Sequence, residues 1–246
     1  MADEPDVPLE NVSPQLMAVL ESAARFQELV PDAVLAGGAV AALYAGHRLS
    51  HDHDHLLVDL RERFDVVLDA LEREPEWVTN RVTPGKIVLG QIGDIEAGVR
   101  QMIRTTPLET QQIELPSGRP LVVPTIEETL RIKAFLIVRR NQVRDYLDVA
   151  ALADKYGIGR AARTLSDIDR FYADEERDGL PVSSQLVRQL GAPRPADAHR
   201  LSSLGLYKDL DPRWSDWANV VEVCQQVAVA MVSPGLVSPG EGGEET

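Results

Sequence analysis

The chain has 246 residues, 44% of them hydrophobic and 26% charged, which is typical of a globular protein with one domain or two small ones. It contains no run of about 18 apolar residues and no basic segment near its acidic N-terminus, so we expect neither a membrane span nor a signal peptide, and the single cysteine, Cys224, favours the reducing cytoplasm. The net charge of −14 disfavours nucleic-acid binding unless basic residues cluster locally.

Helical and extended patterns alternate over the first half of the chain. Apolar residues at helical spacing or in short runs predict a helix over residues 13–30, a strand over 33–36, a helix over 39–45, a strand over 49–59 and a helix over 61–72. Five more strands are predicted over 77–82, 86–92, 95–103, 111–115 and 121–123, with turn residues between them. This order predicts an α/β (α+β) fold, in which a mixed β-sheet is flanked by helices.

The pattern after Pro124 is helical. Thr125 and Glu128 have the spacing of a capping box, and helices are predicted from residue 125 onward and over 143–156, 159–172 and 214–232, with a mixed polar stretch over 173–196. The chain is therefore divided into a flexible N-terminus (1–12), a core (13–124), a helical C-terminal region (125–232) and a disordered tail (233–246).

Two aspartates lie two positions apart on the strand predicted over residues 49–59. Side chains at this spacing point to the same face of a strand, so Asp52 and Asp54 are expected side by side. Aspartate is disfavoured inside strands, which indicates that the pair serves a purpose beyond folding. Two adjacent carboxylates in the open suit a hard cation, and we predict that they bind Mg²⁺ or Mn²⁺.

Residues near the aspartates could hold a phosphate chain. Gly37 and Gly38 leave room for a triphosphate to approach the backbone, and Ser50 could add a hydroxyl contact. The alternative for the glycines is an ordinary tight turn. His47 and Arg48 could contact phosphate or base, or could close the end of the preceding helix, where a cation is favoured.

Three histidines alternate with the aspartates and should lie on the opposite face of the strand. They are His51, His53 and His55. One alternative is that His53 is a core imidazole with its hydrogen bonds satisfied. The other is that it joins His51 or His55 in a transition-metal site, since histidine suits Zn²⁺ or Ni²⁺.

Two blocks of sequence occur in a recognisable order. The first is Gly37-Gly38-Ala39 followed by His47-Arg48-Leu49-Ser50-His51-Asp52-His53-Asp54, and the second is Pro124–Glu128, Lys133-Ala134 and Arg144-Asp145-Tyr146-Leu147-Asp148. Over roughly residues 30–155, the chain resembles the AbiEii/AbiGii nucleotidyltransferase toxin family. The resemblance implies transfer of a nucleoside monophosphate from an NTP, with a tRNA 3′ end as the target class and an antitoxin protein as partner.

The resemblance also implies further site residues. Lys133 would bind the triphosphate, and Asp148 matches the last aspartate of the family's Arg-Asp-x-x-Asp helix, with Arg144 on the same helix face. The alternative is that Arg144, Asp145 and Asp148 only brace two helices. A third carboxylate of this fold, which would be a metal ligand and catalytic residue beside Asp52 and Asp54, comes from a neighbouring strand, where Glu96 is preferred over Asp94.

Three alternatives are open for the acceptor of the transfer. Five cations lie within fourteen residues and could form a basic surface for RNA, or simply a solvated helix face: Arg131, Lys133, Arg139, Arg140 and Arg144. The acidity of the chain favours a small-molecule or protein nucleotidyltransferase instead. A third alternative is a catalytically degenerate subunit that binds a nucleotide, a metal or a partner.

Overall fold

A computed structural model describes residues 7, 9–173, 179–207 and 209–233. Most of the expected flexible N-terminus and of the expected disordered tail lies outside these residues. The chain divides into two compact units, which are described separately. The first unit runs up to Thr129 and includes Gly205–Asp211, and the second comprises Leu130–Leu204 and the chain from Pro212 onward.

The first unit is built on a mixed five-stranded sheet. Its elements are α1 (Pro14–Leu29), β1 (Val34–Ala36), α2 (Gly37–Ala45), β2 (Asp52–Leu57), α3 (Leu60–Glu72), β3 (Trp77–Thr83), β4 (Ile87–Ile92), β5 (Ile95–Gln101), β6 (Thr110–Glu114) and β7 (Pro120–Pro124). The strand order is β1-β2-β5-β4-β3, and β6 and β7 form a separate hairpin. Only the β2–β5 pair is parallel within the sheet. The predicted mixed sheet with flanking helices is confirmed.

One face of the sheet carries the core of the first unit. Phe26 of α1 and Leu60 and Phe64 of α3 belong to the same buried cluster as Val88 of β4 and Val99 of β5. Helix α1 begins with a capped first turn, where the Ser13 hydroxyl accepts a hydrogen bond from the Leu16 N–H at 3.2 Å. The helices therefore cover one face of the sheet and fix which side chains of each strand are buried.

The two histidines at alternate positions of β2 lie in this core. His53 and His55 are 1% and 0% exposed, His53 Nε2 lies 3.0 Å from the Ser22 hydroxyl, and the His55 ring stacks on Phe26. Among the described residues, no three His, Cys, Asp or Glu side chains are arranged to hold a metal ion. His53 is thus a core imidazole, with its Nε2 near the Ser22 hydroxyl and its buried Nδ1 without a hydrogen-bond partner among the described residues.

The second unit is helical. It contains α4 (Ile126–Arg140, whose first turn belongs to the first unit), α5 (Val143–Tyr156), α6 (Ile158–Ser166), α7 (Val182–Gly191) and α8 (Trp217–Val232). Helix α8 packs against α5, α6 and α7. None of the described helices is long and apolar enough to cross a membrane.

Three details differ from the sequence-based expectation. Helix α6 ends at Ser166 and is followed by a 3₁₀ turn, so the helix predicted over 159–172 is too long. Helix α7 lies in the stretch predicted to be mixed and polar, although Val182, Leu186 and Leu190 recur every four residues and are buried. The capping box is half formed: Thr125 Oγ1 accepts from the Glu128 N–H at 3.2 Å, but the Glu128 carboxylate pairs with buried Arg104 at 2.8 Å.

The buried histidines predict an acid-sensitive fold. Burial lowers the pKa of His53 from 6.5 to about 4 and lowers the pKa of His55 as well, because a charged imidazolium loses its hydration in the core. The unfolded chain binds these protons near pH 6.5 and the folded chain does not, so stability falls as the pH drops through this window. We expect His53 alone to contribute a loss of about 3 kcal/mol by pH 4.

The measurement is urea unfolding between pH 7 and pH 4. Replacing both residues (His53→Leu with His55→Leu) should flatten the pH dependence, whereas His51→Gln, at an exposed position of the same segment, should leave it unchanged. An equally steep dependence in the double variant would contradict the assignment.

Candidate active site

The glycine pair at the start of α2 lies against the residues predicted to bind phosphate and metal. Gly37 has φ +79°, a left-handed conformation that glycine adopts without strain, and a Cβ atom there would lie 3.6 Å from Asp54 Cβ. A Cβ atom on Gly38 would lie 2.7 Å from Ser50 Oγ and 2.8 Å from Arg48 Nη2. Gly38 therefore lets the main chain approach two polar side chains that any larger residue would displace.

The same pair also begins a helix. Sequence reasoning expected a turn at Gly37 and Gly38 and a helix from residue 39, but both glycines are the first residues of the nine-residue helix α2. The first N–H groups of a helix have no partner within the helix and carry its positive dipole end. An anion near Ser50 and Arg48 would thus meet main-chain donors as well as two polar side chains.

Asp52 and Asp54 share one face of β2, opposite the buried histidines. Asp52 is exposed and Asp54 is partly exposed. The Ser50 hydroxyl donates to Asp52 Oδ1 at 3.1 Å, and Arg100 Nε donates to Asp54 Oδ1 at 3.2 Å. Each carboxylate is therefore held by one neighbour, and among the described residues no side chain bonds its other oxygen.

The neighbouring strand β5 places Glu96 beside this pair. In the parallel register Glu96 is opposite Asp52 and Gly98 is opposite Asp54, whereas Asp94 precedes the strand in the turn. Glu96 is exposed, but the three carboxylates do not form a metal-binding cluster among the described residues. A Cβ atom on Gly98 would lie 3.3 Å from Asp54 Oδ1, so the position facing Asp54 is left without a side chain.

Sequence reasoning missed Arg100, which pairs with Asp54. Together with Asp52, Asp54 and Glu96, it lines an open cleft of about 170 Å³ that also includes Asn80 and Arg81 of β3. The strand period could have indicated this residue. Arg100 follows Gly98 by two residues, so both lie on the face of β5 opposite the buried Val99.

The donor set of the cleft fits a magnesium ion. Mg²⁺ prefers oxygen ligands and is commonly held by one or two carboxylates, with water and substrate phosphate completing its shell. Asp52 and Asp54 offer these carboxylates in the open, and Asp54 lies against Gly37 in the first turn of α2. His47 is buried and its carbonyl accepts from the Asp211 N–H at 2.9 Å, which gives it at least a structural role.

The predicted residues of the second unit are arranged as an ion pair. Lys133 Nζ of α4 lies 2.7 Å from Asp148 Oδ2 of α5, with side chains 4% and 0% exposed. Arg144 on α5 is exposed. The helix-bracing alternative is therefore realised at Asp148, which pairs with Lys133 on the neighbouring helix, and a contact with nucleotide remains a prediction for Lys133, Arg144 and Asp148.

The expected basic surface on α4 and α5 is wrong for most of its members. Arg131 is buried with its guanidinium 4.0 Å from the centre of the Phe171 ring, and Lys133 is buried beside Asp148. Arg140 makes two hydrogen bonds to the buried Asp145 carboxylate, at 2.6 and 2.7 Å. Arg139 and Arg144 are the exposed members of the cluster, so it offers far less charge to RNA than the sequence indicates.

Comparison with solved structures identifies the fold. The nucleotidyltransferase toxin MenT4 of Mycobacterium tuberculosis H37Rv superposes with a TM-score of 0.58 at 16% identity, covering 89% of this chain and 83% of MenT4. This chain has a nucleotidyltransferase-type fold. A putative nucleotidyltransferase from H. pylori covers 89% of this chain and 96% of its own, at 18% identity and a TM-score of 0.49. No protein-family model matches the chain, so the AbiEii/AbiGii resemblance depends on the motifs alone.

Curated proteins with similar sequences are much longer. The chain is 30% identical over 230 residues to the mycolic acid-containing lipids exporter MmpL11 of Mycolicibacterium smegmatis, which covers 88% of this chain and 22% of the exporter. It is 31% identical over 249 residues to the heme uptake protein MmpL11 of Mycobacterium tuberculosis, covering 89% of this chain and 23% of that protein. The chain thus spans about a fifth of the length of the curated relatives it matches.

The buried ion pair of the second unit predicts a large effect of Lys133→Ala. The substitution leaves the Asp148 carboxylate buried without its cation, so the free energy of unfolding should fall by about 3–5 kcal/mol. If Lys133 instead served only to bind the triphosphate, as the motif resemblance implies, the variant would weaken NTP binding with little loss of stability. The measurement is urea unfolding alongside isothermal titration with NTP.

A double variant separates packing from charge. Lys133→Met with Asp148→Leu removes both charges and should recover most of the lost stability. Unchanged stability in Lys133→Ala, together with weaker NTP binding, would show that Lys133 is primarily a ligand.

Proposed function

We propose that this protein is a metal-dependent nucleotidyltransferase, which transfers a nucleoside monophosphate from an NTP to an acceptor hydroxyl and releases pyrophosphate. The observation that carries the proposal is the close approach of the α2 glycines to Ser50 and Asp54, with Asp52 on the same face of β2. The nucleotidyltransferase-type fold supports the general kind of reaction.

The triphosphate is assigned to the N-terminus of α2. Its anionic oxygens would accept hydrogen bonds from the first N–H groups of the helix, which Gly37 and Gly38 leave uncovered. The Ser50 hydroxyl and the Arg48 guanidinium, both close to Gly38, would hold the same group from the side. Lys133 and Arg144 are proposed as nucleotide ligands, and Asp148 as a catalytic residue, on the motif resemblance alone.

Asp52 and Asp54 would hold the magnesium or manganese ion. When bound, this ion aligns the phosphate groups and offsets the charge that develops during transfer. Ser50 orients Asp52 by its hydrogen bond, and Arg100 orients Asp54 in the same way. Both aspartates are thus preorganised for a ligand from the side of the open cleft.

The acceptor side of the reaction requires a base. The acceptor oxygen bonds to the α-phosphorus, the bond from that phosphorus to the bridging oxygen breaks, and pyrophosphate leaves. The hydroxyl proton must pass to a nearby group. We assign this role to Glu96, whose exposed carboxylate lies opposite Asp52 in the register of β2 and β5.

A tRNA 3′ end is the proposed acceptor class, and an antitoxin the proposed partner. Both follow from the motif resemblance, and MenT4 is itself a toxin. A small-molecule or protein acceptor is the alternative, favoured by the charge of −14 and by the buried or paired state of Arg131, Lys133 and Arg140.

Incubation with each labelled NTP, Mg²⁺ and a total tRNA pool tests the proposal. We expect the label on RNA. Label on another molecule would select the small-molecule or protein alternative. No transfer with any NTP would indicate a degenerate subunit and contradict the proposed reaction.

Asp54→Asn should remove transfer while leaving the fold intact. It replaces a ligand carboxylate by a neutral amide of the same size, and activity should fall by about a hundredfold or more, since even residues that only orient metal ligands contribute about 10- to 100-fold. The measurement is initial rate against Mg²⁺ concentration, with thermal unfolding to confirm folding.

Asp65→Asn, an exposed position on α3, is the matched control with the same charge change. A near-parental rate for Asp54→Asn would remove the metal assignment.

A further inference from the structure

A β-bulge at the edge of the sheet redirects Arg81. Strand β3 pairs with β4 as Thr79 opposite Gly90 and then Arg81 opposite Leu89, so Asn80 is an extra residue in the ladder. Without that insertion the regular register would place Arg81 opposite Val88, which is fully buried in the core. The bulge therefore moves Arg81 from the core face to the face that carries Asp54. Bulges next to active sites commonly re-aim a side chain in this way.

Arg81 is the outer end of a row that crosses four strands. Arg81 is opposite Leu89, Leu89 is opposite Gly98, and Gly98 is opposite Asp54. Strands are spaced about 4.8 Å apart, so the Arg81 and Asp54 Cα atoms are separated by about 14 Å. Gly98 has no side chain, and a Cβ atom there would lie 2.5 Å from Leu89 Cδ2. Between the Asp54 carboxylate and the Arg81 guanidinium, the row therefore carries only Gly98 and the apolar side chain of Leu89.

The charges along this row suit an anionic ligand at the end that Arg81 occupies. Arg81 is exposed, lines the cleft with Asp52 and Asp54, and makes no ion pair with any residue that the structure describes. Arg100, in contrast, is already held by Asp54. A guanidinium with free donors binds a phosphate through two parallel hydrogen bonds.

The sheet order separates Arg81 from Gly37 and Gly38, the glycines proposed to hold the triphosphate. Helix α2 contacts β1 and β2, whereas Arg81 lies on β3 at the opposite edge. A nucleotide held at α2 would therefore leave the side formed by β5, β4 and β3 for the second substrate.

We infer that Arg81 forms a phosphate subsite for the acceptor. The acceptor presents its hydroxyl at Asp52 and Asp54, lies over Gly98 and Leu89, and places a phosphate group at Arg81. This inference depends on the proposed nucleotidyl transfer and adds the chemical class of the second substrate, which is a hydroxyl compound with a nearby phosphate. A nucleic-acid 3′ end and a small sugar phosphate share this chemistry. A cationic acceptor such as an amino sugar does not.

Binding measurements on the full chain test the subsite. The proteins are the parent, Arg81→Ala, Arg81→Lys and the control Arg73→Ala, which removes an exposed arginine at the end of α3 and changes the net charge equally. The probes are a fluorescent six-nucleotide RNA with a free 3′ hydroxyl, followed by anisotropy, and ribose 5-phosphate, followed by calorimetry. A non-hydrolysable NTP with Mg²⁺ is titrated separately.

We expect Arg81→Ala to weaken RNA binding about tenfold and to reduce the slope of log affinity against log salt by about one unit, as for one lost phosphate contact. Arg81→Lys should retain part of the affinity, and Arg73→Ala all of it. Nucleotide binding should be the same in every variant. If ribose 5-phosphate binds through Arg81 and RNA does not, the subsite stands and its ligand is a small sugar phosphate.

Two results would overturn the inference. One is that Arg81→Ala binds both probes as the parent does, or loses no more than Arg73→Ala. The other is that the parent binds neither probe although it binds the nucleotide. If the parent binds no nucleotide, the proposed transfer itself fails, so the two failures are distinguishable.

Discussion

The two-residue period of β2 is the constraint on which the rest of the first unit depends. One face of the strand is buried, because His53, His55 and Leu57 pack into the core under α1 and α3. The intervening side chains then face outward, and among them are Asp52 and Asp54. A shift of one residue would bury both carboxylates, each at a cost of several kcal/mol. The packing that stabilises the sheet therefore also holds the aspartates side by side.

Missing side chains create the space around these aspartates. Gly38 admits Ser50 and Arg48 against the main chain of α2, on the side assigned to the nucleotide. Gly98 leaves the adjacent position on β5 open, on the side assigned to the acceptor. The cleft is thus shaped as much by two glycines as by the charged residues that line it.

Buried ion pairs explain why charge along the sequence is a poor guide to the surface. Lys133 is neutralised by Asp148 and Arg140 by Asp145, and Arg104 is buried 2.8 Å from Glu128. A cation enters the core only with such a partner, because an unpaired charge there is strongly destabilising. The apparent basic cluster is therefore largely internal, and the cations that line the cleft with the aspartates, Arg81 and Arg100, come from other parts of the chain.

Local sequence determined the strands, the shared face of Asp52 and Asp54 and most of the helices, although not α7, because helical and strand periods are properties of neighbouring residues. It also indicated the glycine turn, although not that both glycines begin α2. The contact of Arg100 with Asp54, the partner of Lys133 and the position of Arg81 were decided by tertiary structure. Each depends on how distant segments pair: the parallel register of β2 and β5, the packing of two helices, and one inserted residue in β3. Strand register and side-chain partners are fixed by packing across the molecule, which no local period encodes.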